Sequence, residues 1–201
     1  MNLPFRYQTN AVLLNDRGQT FVDSEFILGI EPRAGGKIAT PWFELDGSNA
    51  ADAKHPAARG HKGKVVVWAA LGTRSSVIFD LDQDGDLDIV TNDFNSPPMV
   101  LVSNLNERNP NLHSLKLRLQ GTRSNRDGLG AKVRVTVGDQ VHTQVHDGQS
   151  GYLSQSSLPL YFGLGAATQI DKISIDWPSG THQELKGPIP TNNQQLTITE
   201  E

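Results

Sequence analysis

The chain has 201 residues, with 18 Lys and Arg against 22 Asp and Glu for a formal net charge of −4, and it has no cysteine. That length can bury a core in one domain or two small ones, and the charge supplies no basic field to hold nucleic acid or an anionic membrane. Without cysteine there is no disulfide framework, thiolate nucleophile or Cys-based zinc site, and no apolar run of about 18 residues is present to insert in a membrane as a helix.

Met1 is followed by Asn-Leu-Pro-Phe-Arg-Tyr, which has neither the basic nor the apolar region of a signal peptide. The expectation is that a signal has been removed or lies outside this sequence. Period-two alternation then dominates, and no segment keeps an amphipathic helical period for three turns, so the expected class is all-β. Strands are expected at 11–14, 20–22, 64–69, 76–79, 88–91, 99–102, 115–119, 132–137, 140–145, 158–162, 172–176 and 195–199. The clearest is Lys132 to Val137, in which Val133, Val135 and Val137 share one face, leaving that face buried and the other wet. Gly138-Asp139 turns it into the strand from Gln140 to Val145 as a tight hairpin. Ser48 to Gly63 carries no large apolar residue and reads as a surface loop. Asn104 to Asn111 is a second polar break, and it is expected to divide the chain into domains 1–110 and 111–201.

The densest chemistry lies in Asp80-Leu81-Asp82-Gln83-Asp84-Gly85-Asp86-Leu87-Asp88. Calcium takes six to eight oxygens, and a short loop supplies them when alternate residues point inward. Asp80, Asp82 and Asp84 fall at loop positions one, three and five, Gly85 at the sharp turn of position six, Asp86 at the carbonyl-donating seventh and Asp88 at the ninth. Without a cation these charges would repel one another. An EF-hand asks for Glu at position twelve, where this chain has Thr91, and the flanks read as strands. The expectation is a strand-loop-strand calcium site formed by Asp80, Asp82, Asp84, Asp86 and Asp88. Magnesium, with its strict octahedral shell, suits an all-protein cage less well.

The stretch Phe79 to Val90 resembles the calcium loop of FG-GAP or VCBS repeats, the blades of integrin-type β-propellers, and Asn10 to Phe21 resembles the strand pair that precedes it. Four later blocks resemble the ASPIC and UnbV domain family: Gly121 to Ala131, Gly151 to Ser157, Tyr161 to Gly165 and Asp176 to Gly180. The resemblance implies one or two propeller-blade-like FG-GAP units followed by a β-sandwich-like ASPIC/UnbV domain. It also implies a secreted or surface-exposed protein, and it brings no catalytic residues with it. About 110 residues are too few for a closed propeller of four to eight blades, and open strand edges are templates for pairing with another chain.

The remaining candidates read as structural. Ser124, Asn125, Arg126 and Asp127 suit a hydrogen-bonded turn better than a catalytic cluster, and Gly151 to Ser156 is not a nucleophile elbow. His142 and His146, four apart on an expected strand, lie too far apart along it for a zinc pair. Trp42, Trp68 and Trp177 suit core plugs or edge covers, with a sugar platform as the alternative. The expected function is a non-enzymatic, extracellular, calcium-binding β module for adhesion or self-assembly. The alternatives are a fibre subunit formed by strand addition and a carbohydrate-binding or accessory domain of a larger secreted enzyme. Its expected partners are itself, another extracellular protein or a glycan, with neither nucleic acid nor membrane insertion.

Overall fold

The computed structural model describes residues 10–16, 18–31, 39–70, 72–94, 96–149, 154–191 and 195–201. Arg17, Gly151, Tyr152 and Leu153, which belong to the stretches quoted above, lie outside them. Strands take 51% of the described residues and helix 4%, so the protein is all-β. Among the described residues no sheet closes into a barrel.

Strands β1 (Leu13–Asp16) and β2 (Thr20–Asp23) pair antiparallel, with the Gly18 N–H donating to Asn15 Oδ1 at 2.7 Å in the turn between them. Next, β3 (Ala39–Asp46) pairs antiparallel with β4 (Lys64–Ala70). The polar stretch between them is held by its own carboxylates, as the Asp46 N–H donates to Asp52 Oδ2 at 2.9 Å beside a short 3-10 turn at Asp52–Lys54. A three-stranded sheet follows, of β5 (Gly72–Phe79), β6 (Asp88–Phe94) and β7 (Val100–Leu101) in that order. A single helical turn, α1 (Leu105–Arg108), lies within the expected polar break.

Among the described residues seven more strands follow: β8 (His113–Gln120), β9 (Lys132–Val137), β10 (Gln140–Val145), β11 (Leu160–Gly165), β12 (Gln169–Asp176), β13 (His182–Pro190) and β14 (Gln195–Thr199). They form a four-stranded sheet ordered β10-β9-β12-β13 and a three-stranded sheet ordered β11-β8-β14. All neighbours are antiparallel except β8 and β14, which run parallel.

Alternation explains the core these two sheets share. Leu115, Leu117 and Leu119 of β8 point the same way as Leu160, Phe162 and Leu164 of β11, and they meet Val133 and Val135 of β9, Ile173 and Ile175 of β12 and Ile198 of β14. Ile170 is buried too, although its spacing of three from Ile173 breaks a period of two. The register shift between Ile170 and Lys172 inserts the extra residue, as a bulge does. Buried aliphatic side chains contribute about 1.5–3 kcal/mol each, so this cluster dominates the stability of the sheets around it.

The chain divides into two compact units, Met1–Ser75 with Thr91–Met99 and Ser76–Val90 with Val100–Glu201. The acidic loop therefore belongs to the same unit as the large core.

Candidate metal centre

Strand β5 ends at Phe79 and its neighbour β6 starts at Asp88, so the acidic stretch is the connection between paired strands. Reversing the chain there uses positive φ at Gly85 (96°) and at Gln83 (66°). Glycine adopts such angles without steric cost, whereas a residue with a Cβ seldom does.

The aspartates tie the turn to itself. Asp82 Oδ1 accepts the Asp84 N–H at 3.4 Å and Asp84 Oδ1 accepts the Asp86 N–H at 3.0 Å, the local pattern that short carboxylates favour in turns. Asp88 Oδ2 accepts the Leu81 N–H at 2.7 Å, joining the two ends of the loop. Other contacts come from far along the chain. The Ser103 N–H donates to Asp88 Oδ1 at 2.8 Å, and the Asn106 N–H to Asp86 Oδ2 at 3.0 Å. Asn106 Nδ2 reaches the Asp84 carbonyl at 3.0 Å, and Ser114 Oγ the Gly85 carbonyl at 3.3 Å. Lys116 of β8 places Nζ 3.0 Å from Asp80 Oδ2.

One carboxylate oxygen from each of Asp80, Asp82 and Asp88 lies within 4.8 Å of the other two. Asp84 and Asp86 are not in that group, and their side chains bind the N–H groups of Asp86 and Asn106 instead. Asp80, Asp86 and Asp88 are 7%, 5% and 1% exposed, yet Asp80 Oδ1 and Asp86 Oδ1 are buried with no hydrogen-bond partner. Leaving a buried acceptor unsatisfied costs about 1–3 kcal/mol, and more if it is charged. Orphan carboxylate oxygens in an all-oxygen set are what a hard cation would take, so the residues fit such an ion. The Asp86 N–H lowers the Asp84 carboxyl, but desolvation and the charges of Asp86, Asp82 and Asp80 outweigh it and hold the group above its ordinary value. Repulsion among the carboxylates therefore reaches even the more exposed member of the loop.

Local spacing identified the aspartates, and it carried no trace of Lys116, Asn106 or Ser103. These partners stand 36, 20 and 15 positions from the groups they bind. The one signal for Lys116 was its place on the polar face of β8, between Leu115 and Leu117.

The polar block at 124–127 serves a different purpose. The N–H groups of Thr122, Arg123 and Ser124 converge on Glu200 Oε2 at 2.9, 2.8 and 2.7 Å. Ser124 Oγ and Ser179 Oγ donate to Oε1. Against the cost of desolvation, these donors bring the Glu200 carboxyl down to about 2. Asn125 closes the same loop, its side chain bridging both the N–H and the carbonyl of Leu129 at 2.8 and 2.7 Å. Arg126 and Asp127 pair with each other at the surface. Ser124 and Asn125 are thus used in holding backbone and a carboxylate.

His146 is buried, and the loss of solvent pushes its imidazole below the ordinary value. Among the described residues no histidine joins a group of three potential metal ligands. Trp177 is buried with Nε1 donating to Gln183 Oε1 at 2.8 Å, whereas Trp42 and Trp68 are 60% and 52% exposed on paired strands β3 and β4.

The family model described as ASPIC and UnbV matches residues 121–201, a span that includes the Glu200 clamp and most of the large core. No curated protein matches the chain.

Proposed function

We propose that this chain is a non-enzymatic, extracellular, calcium-binding β module that serves adhesion or self-assembly. The observation that carries the reading is the group of Asp80, Asp82 and Asp88 oxygens, with Asp80 Oδ1 buried and unpartnered. These three side chains would hold the ion, and Asp84 and Asp86 complete the acidic shell around them. Calcium suits this site better than magnesium because its coordination tolerates the irregular geometry of a protein loop. The ion would supply neutralisation and a cross-link between β5 and β6, and binding confined to the folded loop adds to folding stability.

In this reading the strands before residue 110 are one or two FG-GAP or VCBS blade-like units, and residues 111–201 are a sandwich-like ASPIC/UnbV domain. The ASPIC and UnbV match over 121–201 and the two sheets sharing one core support the second part. Partners would be further copies of the chain, another extracellular protein or a glycan. The exposed Trp42 and Trp68 favour a surface that meets a partner, since exposed aromatic rings pack well on sugar and on protein faces.

The test is a thermal melt in calcium and in EDTA, with Asp88→Asn as control. Calcium at a hundred times its dissociation constant stabilises the folded state by about 2.7 kcal/mol, which appears as a rise of several degrees that EDTA reverses and the variant lacks. An identical melt in calcium and EDTA would refute the reading.

A further inference from the structure

The most informative partner of the acidic loop is the lysine that the spacing of the aspartates does not reveal. We infer that Lys116 is a resident counter-ion of the loop, which holds Asp80 when no cation is bound and gives it up when a divalent cation enters. This inference rests on the calcium reading above.

Three observations carry it. First, the contact is buried: Lys116 Nζ lies 3.0 Å from Asp80 Oδ2, with side chains only 18% and 4% exposed. An ammonium withdrawn this far from water needs a counter-charge, and Asp80 is the carboxylate that supplies it. Secondly, the same carboxylate belongs to the oxygen group suited to a cation, and its other oxygen has no partner. A divalent ion on Asp80 would therefore stand within a few ångströms of the ammonium, where burial of both side chains weakens the screening of two like charges. The ion pair and a bound cation oppose one another through one residue. Thirdly, Lys116 has somewhere to go. Its Nζ already lies 5.6 Å from the centre of the Tyr161 ring, whose residue is the register partner of Lys116 on β11, and a ring face attracts an ammonium.

The rest of the loop need not move for this exchange. Ser103 on Asp88, Asn106 on Asp86 and Asp84, and Ser114 on Gly85 hold the turn through contacts that do not involve Lys116. The lysine thus sets the affinity of the site without building it. It also gives strand β8, and so the large core behind it, a contact that differs between the two states of the loop.

Calorimetric titration of the full chain with calcium chloride, in the wild type and in Lys116→Met and Lys116→Arg, tests the inference. Methionine keeps the stem without the charge, and its variant should bind calcium at least about tenfold more tightly, while arginine leaves affinity near that of the wild type. Unchanged or weaker binding by Lys116→Met overturns the inference and leaves the calcium reading standing. Absence of binding in all three proteins overturns the calcium reading itself. Amine labelling of the wild type, read by mass spectrometry, needs no variant to fold. Calcium should raise the labelling of Lys116 severalfold relative to the exposed Lys132, and equal labelling with and without calcium overturns the inference.

Discussion

Glu200 is almost fully buried and accepts hydrogen bonds from three consecutive backbone N–H groups and two serine hydroxyls. Its folded carboxyl sits at about 2, against an ordinary value of 4.5. A depressed carboxyl contributes stability that is complete above the unfolded value and is lost as pH falls through the folded one. Glu200→Gln should therefore be less stable than the wild type at neutral pH by a margin that holds down to about pH 4.5 and closes toward about pH 2. Urea melts across that range check it, and a margin independent of pH would show that the charge is not what the clamp uses. Nothing in the sequence pointed to this residue. Its backbone donors lie 76 to 78 positions away and the Ser179 hydroxyl 21, and the sequence shows only that Ser124 and Asn125 suit a hydrogen-bonded turn.

Strands with one apolar face announced themselves. The β9 and β10 hairpin and β14 begin and end where alternation and the Gly138 turn place them. Strands β3 and β13 did not, because each contains proline and β13 also has a charged, glycine-containing middle. Both are tolerated for a reason visible only in the fold. β13 is the edge of its sheet and β3 belongs to a two-stranded one, where a missing ladder donor is harmless. The glycine of β13 has a second role: a Cβ on Gly187 would lie 2.2 Å from the Ile170 carbonyl oxygen, across the register shift that turns Ile170 inward. Gly187→Ala must push the strands apart at the bulge and should cost about 2 kcal/mol or more by chemical denaturation. A loss below about 0.5 kcal/mol, the range of a neutral surface change, would mean that the bulge is not closely packed there.

The two units differ in how much apolar surface they bury. Among the described residues, the buried apolar side chains of the first are Ile30, Ala58 and Ala69, while Phe21, Phe26, Ile27, Trp42 and Trp68 are exposed. The second holds the whole large cluster. Local opening is governed by such contacts, so amide exchange should be slowest in β8, β9 and β12 and faster by orders of magnitude in β1 to β4. Uniform protection across both would contradict this. The parallel pairing of β8 with β14 also has a cost in time. Leu196 and Ile198, the register partners of Leu117 and Leu119, and the Glu200 that takes the Thr122 N–H 78 residues away, are translated long after β8. At about 5–20 residues per second the wait is roughly 4–16 s. For that interval the growing chain carries an apolar strand whose β14 edge is open to any neighbour, and a nascent chain on the next ribosome is the nearest competitor.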